Sequence, residues 1–329
     1  MTTVVEYPLS VAGMFQYHNV IGLLSGSGPG FSGPVSLALG RDGLLYVASR
    51  ANPNQPEGVR VTRCTFDGDY VGEFSNWGEG PGQFIWITEI RFGPDGNVYL
   101  SDENTHRISV FTPEGAFLHC WGEFGADPGQ LNRPSGMAFA PDGTLLVVDS
   151  LNNRVQRYTT DGEYLAGWGA EGEGPGQFRM PWAVAVDATG DVYVTDWRNN
   201  RVQKFDPAGG YITEFDGRDG GDGFERPNGL TVDNDGCIYV CDWQNDRVQV
   251  LAPDGRVMDT LIGHSGTSKW ARTFLNANPD IEAKLNAATQ NIELKRRFYR
   301  PRAVTVSDDG LVFVADCYRH RVQIYRRLG

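Results

Sequence analysis

Along most of the chain, apolar residues recur at every second position in short runs, each closed by a turn rich in glycine, aspartate or asparagine. Period two over such lengths marks strands with one buried face. The stretch LNRPSGMAFAPDGTLLVVDSLNNRVQRYTTDGEYLAGWG shows the order most plainly. It predicts strands at Gly136–Ala140, Leu145–Val148, Val155–Thr159 and Tyr164–Trp168. Asp142-Gly143 and Asp161-Gly162 supply tight turns, where glycine adopts positive φ at little cost.

The same pattern returns along the chain: Phe-x-x-Pro, an alternating run, Asp-Gly, an apolar run ending in Asp, then Arg-Val-Gln. Further copies begin at Phe31, Phe84, Phe178, Phe224 and Phe298. The closing aspartates are Asp102, Asp149, Asp196, Asp242 and Asp316, separated by 47, 47, 46 and 74 residues. The last gap is one period with 28 residues inserted within His264–Arg297. In the first copy Ser49 replaces the aspartate, and six extra residues lie around Ala51–Gly58. A four-stranded antiparallel unit of about 45 residues, repeated radially, is a propeller blade. Six copies predict one all-β, six-bladed propeller over residues 15–325. The sixth copy stops after its third strand at Tyr325, while a spare strand, Phe15–Leu23, precedes the first. Pairing the two closes the ring and removes an open edge.

These motifs resemble the NHL-repeat family over nearly the whole chain. The resemblance implies the six-bladed fold. It leaves function open, because the family includes ubiquitin-ligase tripartite-motif proteins, RNA-binding translational repressors, sensor modules of bacterial kinases and the peptidyl-hydroxyglycine amidating lyase. That lyase carries zinc-binding histidines beside its inner-strand prolines. None of His18, His106, His119, His264 or His320 stands in such a slot, and no metal residues are assigned.

Charge and cysteine content narrow the classes. A net charge of -12 argues against broad nucleic-acid binding, which needs a basic face. Five cysteines in no metal-like spacing read as small buried hydrophobes rather than a disulfide framework. MTTVVEYPLSVAGMF shows no basic segment leading an apolar core, and no apolar run is long enough to span a bilayer. A cytoplasmic protein with no membrane partner is expected.

The meander places the loops between second and third strands, and those between blades, on one face, here the top. Both insertions fall there, and insertions on one face mark the binding side of a repeat protein. The longer one predicts a helix from Asn278 as cap and Pro279 as first residue, with Asp280 and Glu282 near its start. Ile281, Leu285, Ala288 and Ile292 form its apolar stripe, and Lys295, Arg296 and Arg297 close it. Either a lid over the axis or a packing arm fits this pattern.

Residues that recur in every blade read as scaffold. The Asp and Arg five apart (Asp102–Arg107 through Asp316–Arg321) predict a structural ion pair per blade. Blade one has lost the aspartate opposite Arg60. The glycine strings at Ser25–Gly30, Gly78–Gly82 and Gly172–Gly176 read as turns, since no helix follows a strand there.

Departures near the axis read as candidates for work. The residues after the proline slot are Val35-Ser36, Thr88-Glu89, Ser135-Gly136, Trp182-Ala183, Asn228-Gly229 and Arg302-Ala303. Blade two departs most, with Ile87 for proline and with Glu89 and Arg91 at positions that are small elsewhere. The loops between second and third strands add Trp197, Trp243, Tyr318 and Arg319. Thr88, Ser135, Trp182, Asn228, Trp197, Trp243, Tyr318 and Arg319 are thus the expected ligand-binding set. The leading expectation is a recognition propeller holding a small molecule, peptide or protein partner on its top face, with no cofactor assigned. The alternative is a hydrolase or lyase in which Glu89 is the acid or base and Arg91 and Arg302 hold an anion. Asn228 lies in RPNGL, which looks like the Pro-Asn-Gly of gluconolactonase-type propellers. That likeness implies a divalent cation near Asn228 and Glu89, the one ring carboxylate.

Overall fold

The computed structural model describes residues 13–52, 54, 56–218, 220–281, 284 and 295–328. Six four-stranded antiparallel sheets form the blades. Blade one runs Pro34–Leu39, Leu45–Ser49, Arg60–Cys64 and Tyr70–Phe74 from axis to rim. The ring closes as the termini suggested. Phe15–Gly22 pairs with Arg321–Arg327 as the outermost strand of blade six, and Leu328 N–H donates to Met14 O at 2.8 Å.

Apolar faces of neighbouring blades form the core, a sandwich of sheet on sheet repeated round the ring. In blades one, two, four and five a second-strand tyrosine (Tyr46, Tyr99, Tyr193, Tyr239) is buried in that packing. Its hydroxyl donates to an aspartate of the preceding turn, at 2.8–3.1 Å, so the buried oxygen is not left unpaired. Towards the rim, each outer turn packs on the last outer-strand side chain of the blade before it. Gly162, at φ +88°, shows why glycine stands there: an added Cβ would lie 2.4 Å from the Trp121 ring.

The Asp–Arg pairs are hubs rather than simple bridges. Asp196 accepts from Arg201 Nε at 2.9 Å, from the Arg179 N–H that begins its blade at 2.8 Å, and from Asn199 and Gln203. Arg201 also donates to Gly174 O and Gln177 O of the incoming loop. The arrangement recurs at Asp149, Asp242 and Asp316. Burial pushes all four carboxyls up despite these partners.

Blade two departs from the expected five pairs. Asp102 spends its oxygens on the N–H groups of Ile85, Trp86, Asn104 and Thr105, and Arg107 turns to the carbonyls of Glu79, Gly80 and Gln83. Thr105 and Ser109 stand where other blades supply Asn and Gln side chains to the hub. Blade one has replaced its lost aspartate, because Arg60 pairs with Glu73 of the outermost strand at 2.9 Å.

A helix that the sequence reading did not name spans Lys269–Ala277, with Ser268 as its cap, and closes at Asn278, where the expected helix begins. Ser268 has the small hydroxyl that accepts from Ala271 N–H, and Asn278 closes the helix through its own N–H to Leu275 O. Helical geometry resumes at Pro279–Ile281; Glu282, Leu285, Ala288 and Ile292 lie outside the described residues. The helix buries Trp270 against Phe31, ring centroids 5.3 Å apart, and sends Lys269 to Asp69. Ser268 donates to Gly22 O of the closing strand. It therefore sits on the flank where blade six meets blade one. Among the described residues no helix is long and apolar enough to cross a membrane. All five cysteines are free; four are buried as expected, but Cys120 is exposed on an outermost strand.

Candidate functional site

The top is built by one device repeated between blades. The residue before the repeat arginine is left-handed in five blades and offers a side-chain acceptor to the next blade. Asn153, Asn200 and Asp246 accept the backbone N–H of Met180, Arg226 and Arg300 at 2.8 Å. His106 and His320 do the same through Nδ1, from Arg133 and Gly33 at 3.0 Å. Burial lowers both histidine pKa values, as an accepting Nδ1 requires, and Arg133 adds to the effect at His106. Neither histidine is a solvated loop residue.

Inside this rim the upper axial mouth opens into a cavity of about 650 Å³, a size usual for small-molecule sites. One repeat position contributes to its wall from five blades. The residue after the hub aspartate is Arg50, Glu103, Trp197, Trp243 and Cys317 in five blades, and all five line the cavity. Trp182, Asn228 and Arg302 enter from the starts of the innermost strands. Trp197 and Trp243 lie 6.4 Å apart, with Arg226 over the first and Arg300 over the second, each at 4.5 Å. Cations placed over the indole rings help to hold them in position.

The charges are unevenly satisfied. Glu103 is shared by Arg50 at 3.0 Å and Arg133 at 3.1 Å, so its charge is already matched. Burial lowers the Arg50 pKa, with Glu103 opposing and Arg302 reinforcing the shift. Arg302 stacks on Trp182 at 5.7 Å but meets no carboxylate among the described residues. Its Nε is buried without an acceptor, as is Trp243 Nε1.

Of the expected ligand-binding residues, Trp182, Asn228, Trp197, Trp243 and Tyr318 line this cavity. Thr88 and Ser135 instead tie blades together. Thr88 Oγ1 donates to Pro134 O at 3.1 Å, and Ser135 Oγ to Trp182 O at 2.6 Å. Arg319 stacks on Tyr299 and is not part of the wall. Of Glu89, Arg91 and Arg302, the first two pair with each other, and Arg302 stands apart from them in the wall of the upper cavity. Glu89 is buried below the cavity, bonded to Ser36 and salt-bridged to Arg91 at 2.6 Å; burial pushes its carboxyl up. Arg91 opens on the opposite axial mouth, a separate cavity of about 330 Å³ lined mainly by strand-end aliphatics. Glu89 and Asn228 thus do not line one site, and among the described residues no three of His, Cys, Asp and Glu cluster as metal ligands. Arg50 went unrecognised at the sequence level. Its signal was its place directly after Ser49, at the position that carries Trp197 and Trp243 elsewhere.

Residues 131–158, 178–205 and 298–325 match the model of the NHL repeat, and 214–263 match the SMP-30/Gluconolactonase/LRE-like region. The chain is a six-bladed β-propeller carrying NHL repeats. No curated protein matches it as a relative. Among solved structures, an inactive virginiamycin B lyase from Staphylococcus aureus with quinupristin is 15% identical, covering 95% of this chain and 100% of that one at a TM-score of 0.59. A putative gluconolactonase is 15% identical over 94% of each chain, with a TM-score of 0.60. An auxiliary nutrient binding protein from Bacteroides thetaiotaomicron is 14% identical, over 94% of this chain and 76% of that one, at 0.62. At such identities the likeness shows the fold.

Proposed function

We propose that this is a recognition propeller whose upper axial cavity holds a small organic molecule. The observation that carries this reading is the cavity wall itself: three tryptophans, each with an arginine over its ring, together with the polar side chains of Asn228 and Arg302. Concave, aromatic-lined sites with a few placed polar groups are the usual form of small-ligand sites. A flat protein-binding face would not need a hollow of that volume. The catalytic alternative, with Glu89 as acid or base beside Arg91 and Arg302, lacks a cavity common to the three.

Native mass spectrometry of the protein taken gently from cells is the test. A non-covalent small-molecule adduct is expected, and Trp197→Ala or Trp243→Ala should weaken its retention by about 1–2 kcal/mol each. An adduct retained equally by both variants would place the ligand elsewhere and defeat the reading.

A further inference from the structure

Resting on the reading of the upper cavity as a binding site, we infer that its ligand is a flat, unsaturated anion whose carboxylate or phosphate oxygens sit on Arg302. Three observations lead there. The first is an unmatched cation. Arg302 lines the cavity and meets no carboxylate among the described residues, while the carboxylate in the wall, Glu103, is already claimed by two arginines. A neutral or cationic ligand would leave the Arg302 charge uncompensated in a partly desolvated site, which is costly. An anion removes that cost and can meet a guanidinium with two parallel hydrogen bonds.

The second is the contrast between the two axial mouths. The lower one also holds an arginine, but Arg91 is neutralised by Glu89 at 2.6 Å. Only the upper mouth presents a cation without a carboxylate among the described residues. The third is shape. Trp182 carries Arg302 on its face, and Trp197 stands beside Trp243 at 6.4 Å, so aromatic surface adjoins the cation. A ring bearing its anionic group at one edge meets both features together. The net charge of -12 repels anions at long range, but screening within about 8–10 Å confines that effect, so recognition rests on the local guanidinium.

The test compares naphthalene-2-carboxylate, 2-naphthyl phosphate and the neutral naphthalene-2-carboxamide, followed by tryptophan fluorescence and calorimetry. The expected result is binding of at least one anion about tenfold to a hundredfold tighter than the amide. Whichever of carboxylate and phosphate binds more tightly identifies the head group. Arg302→Gln should bring the anion down to the level of the amide, and Arg302→Lys should restore part of the difference; both are checked for an unchanged thermal melt. The inference is overturned if the amide binds as tightly as the anions, if neither anion binds, or if Arg302→Gln leaves the ratio intact. An adduct in native mass spectra that depends on Trp197 would, in those cases, keep the cavity reading alive without its charge preference.

Discussion

In most blades a single aspartate organises three segments of chain, and outer-strand glutamates in two blades show what can replace or supplement it. In blade one Glu73, and in blade four Glu214, reach the hub arginine from equivalent outer-strand positions, opposite Thr62 and Gln203. Glu73 replaces the missing aspartate, whereas Glu214 supplements Asp196 at 2.7 Å from Arg201. Among the described residues, Asp242 is the one carboxylate that pairs with Arg247 of blade five. Removing one partner of a buried pair leaves the other charge uncompensated. Asp242→Ala is therefore expected to cost about 3–5 kcal/mol in urea unfolding. Asp196→Ala should cost less, by about 1 kcal/mol, because Glu214 still faces Arg201. Equal losses would mean that the bonds the aspartates accept from backbone N–H groups, not the charge pair, carry the hub.

Between blades, one element recurs: a hairpin tip whose left-handed residue accepts the first N–H of its neighbour. Asparagine does this in blades three and four, histidine in blades two and six. The difference is acid sensitivity. Burial sets both folded histidine pKa values below the ordinary 6.5, so between those values the unfolded chain binds more protons than the folded one. Stability then rises with pH through that window. The contribution is complete above 6.5 and is lost as the pH falls below it. The His106→Asn, His320→Asn double variant should match the parent at pH 7.5 and lose less stability on acidification to pH 5. Denaturant midpoints at the two pH values check this. Parallel losses in parent and variant would remove the histidines from the account.

At the scale of the molecule, the fold was legible because radial symmetry turns one pattern into six, and a strand's period of two survives any one irregular loop. The cavity was legible only in part. Trp182, Asn228 and Arg302 stand at the start of the innermost strands, where repeat position fixes height on the axis. Arg91 lies three residues further down its strand than Arg302 does, about 10 Å at strand rise. That step carries it to the other mouth, a depth that ring position does not encode. The ends of the chain were the plainest signal, and they make the strongest claim about the whole. Phe15–Gly22 supplies the outer strand of blade six, buries Val20 and Ile21, and sets Tyr17 against Tyr325 at 5.9 Å. Deleting residues 13–24 would expose the edge of Arg321–Arg327 and uncover the flank on which Trp270 packs. The truncated chain is expected to self-associate on size exclusion and to melt without a sharp transition, while Ile21→Ala in the intact chain costs about 2–4 kcal/mol. A truncated protein that stayed monomeric and melted as sharply as the parent would show that five complete blades and three strands close on themselves, and the circular interlock would then not be what holds the propeller shut.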